Sequence, residues 1–161
     1  MRPIPREKVE AVWRQVIQAP PDKANVWLQE IEHAQPFLFT FLVALDEKCA
    51  PAPKKGFLAL LGFIIWKVMT QADRVAGLVT SEALEAAEQA NVHRLYELCQ
   101  GPEPHFYDAI IKMLATSNQA PLWGAVVESL MAEKEADGSK DDDKLALALV
   151  HLKTVIDCLD R

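Results

Sequence analysis

Several features that commonly announce a function are missing from this 161-residue chain, and each absence removes a class of explanation. Cysteine is scarce: Cys49, Cys99 and Cys158 form no C-x-x-C pair, and an odd number without a secretory leader argues against a disulfide framework or a zinc ribbon. Reduced thiols in a cytoplasmic protein are the expectation. Glycine is scarce as well, and none of the six lies in a G-x-G-x-x-G or G-x-x-x-x-G-K loop that would cradle phosphates. The serines at 81, 117, 129 and 139 stand in no G-x-S-x-G turn, and there is no H-E-x-x-H. No catalytic residue, metal ligand set or cofactor follows from the sequence.

Basic charge is short too. Lys and Arg number 17 against 23 Asp and Glu, a net charge of −6, and no basic stripe exists to neutralise phosphates, so neither nucleic acid nor an anionic membrane surface is an expected partner. Long apolar runs are the last absence. The most hydrophobic stretch, "GFLALLGFIIW" at 56–66, is 11 residues long, whereas a spanning helix needs about 20. It reads as a buried core helix, with residues 57–65 almost fully covered and Gly56 and Gly62 as places where another helix approaches. The first twenty residues interleave charge with apolar positions and offer no secretory h-region.

What the chain does have is helical periodicity. Val9, Val12, Trp13, Val16 and Ile17 recur at steps of three and four after Pro5. A shorter helix is predicted from about Asp22 to His33, and Pro36 opens another over Phe37 to Lys48. Thr80 or Ser81 caps a helix with the stripe Leu84, Ala87, Asn91, Leu95, Leu98, stopped at Gly101-Pro102. Phe106 to Leu114 and the stretch from Pro121 continue the pattern, the latter dissolving into "EKEADGSKDDDK". Leu145, Leu149, Leu152, Ile156 and Leu159 make the last stripe. No alternating strand pattern is present. The fold class is therefore all-α: a single domain of about seven or eight helices, either a helical bundle or stacked antiparallel hairpins resembling an α-solenoid fragment.

A faint internal echo runs through it. "HAQPFLFTFLVALDEK" and "NQAPLWGAVVESLMAEK" put Pro36 and Pro121 in the same role, 85 residues apart. Two pseudo-repeat halves, 1–75 and 80–161, are one reading; chance likeness of two amphipathic helices is the other.

Two patterns approach a metal site and fall short. Glu30-x-x-His33 is half of a di-iron carboxylate constellation, and no second copy exists. The acidic segment at 133–144 places oxygen-bearing side chains at loop positions 1, 3, 5, 7 and 9 and glycine at 6, as a calcium-binding loop does. It then puts Lys144 where the bidentate glutamate belongs, so a solvated linker is the simpler reading. The pocket candidates are His105, Tyr107 and Asp108, which begin one helix together, with His93 and His33 as polar groups that neighbouring helices would have to bring in. Without a catalytic constellation, the leading expectation is a module that binds another protein or itself, with a homodimer as the specific version. The alternative is an enzyme or small-molecule binder with an inter-helix pocket built from those five residues.

Overall fold

Prolines, glycines and short polar caps divide the described residues into eight helices. They are seen in a computed structural model that describes residues 2–49, 54–71, 76–100, 106–138 and 140–161. The helices are α1 (Arg6–Ile17), α2 (Lys23–Ala34), α3 (Pro36–Cys49), α4 (Phe57–Gln71), α5 (Ser81–Leu98), α6 (Phe106–Thr116), α7 (Ala120–Asp137) and α8 (Asp142–Leu159). Among the described residues there is no strand, and no helix is long and apolar enough to cross a membrane. The all-α single domain is as expected.

Local chemistry sets most of the boundaries. The Thr80 hydroxyl accepts the Ala83 N–H at 3.2 Å and opens α5, and the Asp141 carboxylate accepts the Lys144 N–H at 3.1 Å and opens α8. Each cap satisfies a donor that would otherwise be orphaned at a helix start. α7 outlasts its expected end: it runs on through Asp137 and stops at Gly138, whose φ of 67° is a left-handed cap that glycine adopts without steric cost. The segment 133–144 is thus mostly two helix ends. Its calcium-loop pattern is not formed, because Glu133 to Asp137, which would have to wrap an ion, are held in helix.

The bundle is built around α4 and α8, which pack on each other. α1 covers α4, α5 covers α8, and α3 touches both central helices. α1 also packs on α7, and α3 on α5. Such closures between distant segments make a bundle, where a one-dimensional stack of hairpins would hold the segments apart.

α4 is buried as expected from Leu61 to Trp66, whereas Phe57, Ala59 and Leu60 are only half-buried. Gly62 is a point of close approach: a Cβ built there would stand 2.3 Å from Leu42 Cδ2 on α3. Gly56 is not. It precedes the helix with φ 84°, nothing lies within 4 Å of a Cβ built on it, and its N–H donates to Asp46 Oδ2 at 2.8 Å. Its role is to turn the chain into α4, and Gly56→Ala is expected to cost about 1–2 kcal/mol for the left-handed backbone, read as a shift in the urea midpoint with an unchanged m-value.

The most enclosed helix is α8, where every residue from Ala148 to Ile156 is buried, His151, Lys153 and Thr154 included. Leucine stripes in the sequence mark only one of its faces. The polar residues are internal because each has a partner: His151 with Glu88, Lys153 with Asp157, and Thr154 with the Val150 carbonyl at 2.8 Å. Burying paired polar groups is tolerated where burying orphans is not.

Candidate functional site

Four of the five sequence candidates lie among the described residues, on three different helices. His33 is exposed in the last turn of α2. His93 is exposed on α5 and pairs within its own helix, Nε2 to Glu97 Oε1 at 3.2 Å. Asp108 is exposed in the first turn of α6, and His105 lies outside the described residues. Tyr107 does line a groove, between α6 and α7, beside Ile110, Ile111, Val127 and Met131, and its hydroxyl accepts from Lys134 Nζ at 3.4 Å. Among the described residues no hydrogen bond or ion pair joins any two of these candidates.

A histidine that the periodicity left unassigned is the buried one. His151 stacks on Phe41 with ring centroids 5.0 Å apart, at the floor of a groove of about 510 Å³ between α3 and α5. Its Nδ1 lies 2.8 Å from the Leu147 carbonyl and its Nε2 2.9 Å from Glu88 Oε1. Both ring nitrogens face acceptors, and whichever carries a proton donates to the acceptor that it faces. One turn on, Asn91 Nδ2 donates to Thr154 Oγ1 at 3.3 Å and to Asp157 Oδ2 at 3.0 Å. The pattern is that of a polar ladder holding α5 in register on α8.

The cysteines behave as core residues. Burial pushes the Cys49 thiol up from its ordinary range, with Lys144 opposing, and burial does the same for Cys158. Their sulfurs donate to the carbonyls of Lys144 (3.9 Å) and Ala83 (3.4 Å). Cys99 is half-buried. A raised pKa keeps the reactive thiolate scarce, so an aromatic disulfide reagent at pH 8 is expected to titrate one thiol quickly in the native protein and three in denaturant. Two fast thiols in the native protein contradict it. Because the unfolded chain gives up these two protons at lower pH than the folded one, stability falls as pH rises above the ordinary thiol pKa, about 8.5.

Among the described residues no three His, Cys, Asp or Glu side chains gather in a metal-binding arrangement. An apolar trough of about 470 Å³ opens where α1, α2 and the start of α4 meet. Ile17, Trp27, Leu28, Phe57, Leu60 and Phe63 line it, and Trp27 stacks on Phe63 at 5.1 Å between centroids. Lys67 closes the outer side of that stack. It bonds Glu30 Oε1 at 2.8 Å and lies 5.8 Å from the Phe63 centroid, within cation–π range. At the mouth stand Lys54 and Lys55, placed by the Gly56 turn, in which the Phe57 N–H donates to the Lys54 carbonyl at 3.0 Å. Among the described residues they are the only charged ones lining the trough, and neither pairs with a described carboxylate. The half-burial of Phe57, Ala59 and Leu60, unexpected for the first turn of an all-apolar helix, is the wall of this trough. No protein-family model matches the chain, and no curated protein or solved structure matches it either.

Proposed function

We propose that the protein is a docking module that receives an amphipathic helical segment of a partner protein, flanked by acidic residues, in the trough between α1, α2 and α4. One observation carries this reading: an aromatic trough, open to solvent, has Lys54 and Lys55 as its only charged lining among the described residues, on a chain whose net charge is −6. Aromatic and aliphatic anchors in a groove are the usual means of holding a helix through its i, i+3, i+4 and i+7 side chains. A cationic mouth adds selection by charge more than affinity. Binding is the function, with no chemical step attached to it.

Calorimetry with a synthetic amphipathic helical peptide, leucines on one face and glutamates at one end, tests it. Saturable binding is expected, at least tenfold weaker after Leu60→Glu, a loss of about 1.4 kcal/mol or more. Lys54→Glu with Lys55→Glu is expected to reverse the preference toward a lysine-flanked peptide. Unchanged binding in Leu60→Glu rules out the trough. Uptake of a long-chain carboxylate without any peptide binding makes it a small-molecule site, since a volume of about 470 Å³ suits either class of ligand.

A further inference from the structure

Two buried glutamines tie the halves of the bundle together reciprocally. Gln35 and Gln119 immediately precede α3 and α7, are 3% and 1% exposed, and each accepts at its backbone carbonyl the N–H four residues on, Phe39 and Trp123, at 2.9 Å. The Gln119 Oε1 takes the Ile4 N–H at 2.9 Å while its Nε2 donates to the Arg2 carbonyl at 3.3 Å. The Gln35 Oε1 takes the Val79 N–H at 2.9 Å while its Nε2 donates to the Gly77 carbonyl at 3.0 Å. Gln119 thus clamps the lead into α1, and Gln35 clamps the lead into α5. Exchanging α1 with α5 and α3 with α7, helices that begin at 6 and 81 and at 36 and 120, turns one clamp into the other, and both α1–α7 and α3–α5 are packed. Elsewhere the likeness lapses, since α2–α4, α3–α8 and α5–α6 pack without a counterpart as close among the described residues.

Between each clamped pair of helices runs a groove, and the two grooves correspond position by position. Glu10, Trp13, Ala125 and Glu128 line the one between α1 and α7. Glu85 and Glu88, 75 positions later on α5, and Phe41 and Ala44, 84 positions earlier on α3, line the other. They differ in how their carboxylates are met. In the α1–α7 groove Arg6 bonds Glu10 at 2.6 Å and also feels the charge of Glu128, and Arg14 lines the groove itself. At the places of Arg6 and Arg14, α5 has Ser81 and Gln89. Among the described residues Glu85 and Glu88 pair with no Lys or Arg, Lys48 on the α3 wall included, and Glu88 has His151 alone. Nor does packing call for a carboxylate at Glu88, because α1 has Trp13 at the same place.

We infer that the α3–α5 groove is a binding site for a small organic ammonium ion with an aryl or alkyl body. Glu85 and Glu88 stand three apart on one face of α5, where their like charges are neighbours, and a cation between them relieves the repulsion. Phe37, 46% exposed, and Phe41 supply ring faces for that cation and apolar surface for its body. His151 Nε2, 2.9 Å from Glu88 Oε1, holds this carboxylate beside the Phe41–His151 stack. The volume of about 510 Å³ lies within the range of small-ligand pockets. This site is separate from the trough between α1, α2 and α4 and does not depend on the docking proposal.

Calorimetry and amide NMR with 2-phenylethylammonium chloride test it, with 3-phenylpropionate as an anion of similar shape. Saturable binding of the ammonium is expected, with amide shifts centred on 37–48 and 81–88. Glu85→Gln and Phe37→Ala, at exposed positions that leave the core intact, are each expected to weaken it by about tenfold. Lys48→Ala is expected to tighten it, because a like charge leaves the lining. Equal binding of the phenylpropionate, an affinity unmoved by Glu85→Gln, or weaker binding in Lys48→Ala overturns the cation site, and so does an absence of saturable binding.

Discussion

Gly62→Ala is expected to lower the stability of the protein by about 2 kcal/mol, within the 1–3 kcal/mol range for overpacking a core. In an exposed helix the same change stabilises by about 1 kcal/mol, because alanine is the better helix former, so the sign itself is the test. A Cβ at position 62 meets Leu42 Cδ2 at 2.3 Å, Cδ1 at 2.4 Å and Cγ at 2.9 Å. Leu42 is 1% exposed and enclosed in the core, so its side chain turns away only by displacing its core neighbours. Relief comes from that repacking or from separation of α3 and α4, and either costs packing. Leu42→Ala removes the clashing atoms and costs about 2–5 kcal/mol by itself through the cavity it leaves. In that background Gly62→Ala is expected to become neutral or stabilising, and the double-mutant cycle in urea to show a coupling of about 2 kcal/mol or more. Additive effects of the two substitutions mean that α3 and α4 do not meet at this glycine.

Much of the fold was legible because helix ends are written locally. Pro36, Thr80 and Pro121 are one-residue statements about backbone geometry, whereas the expected Gly101-Pro102 stop lies outside the described residues, and period-3.6 stripes name the inward face of a surface helix without knowledge of its neighbours. α8 shows where that logic fails. His151, Lys153 and Thr154 lie off the leucine stripe, and each carries a polar group. Their burial depends on Glu88, which is 63 positions away from His151, and on partners one turn along α8 itself. No local pattern encodes a partner in another helix.

The same limit explains the site. His33, His93, Tyr107 and Asp108 were natural candidates by residue type, yet their helices point them outward and apart. The trough is made of Trp27, Phe57 and Leu60, residues that sequence assigns to the core by their hydrophobicity. Only the backbone turn at Gly56, which begins with Lys54 and Lys55, makes their half-burial informative. One signal was available: Lys54-Lys55-Gly56 is a compact cationic turn directly preceding the most apolar run of an acidic chain.

Gln35→Leu and Gln119→Leu are expected to destabilise by about 2–3 kcal/mol each, with alike effects although the residues lie in different halves. Leucine approximates the shape of the glutamine stem but supplies neither bond, so a buried N–H and a carbonyl lose their partners together. Orphaning one such group costs about 1–3 kcal/mol. Gln119 has an additional partner in Asp160 Oδ1, at 2.6 Å, which ties the end of α8 to the same clamp and places its variant at the upper end of the range. Gln29, exposed on α2, is the control, and its leucine variant is expected to stay within about 0.5 kcal/mol of the native protein. Hydrogen exchange separates the clamps. Gln119→Leu should deprotect the Ile4 amide while sparing Val79, and Gln35→Leu should do the reverse, because each side chain holds one lead segment only. A substitution that deprotects both amides equally reports global unfolding and denies the clamps their separate action. Loss of protection at one amide, with the other unchanged, means that each half is closed by a glutamine of the other, which is how a two-fold arrangement keeps both of its ends.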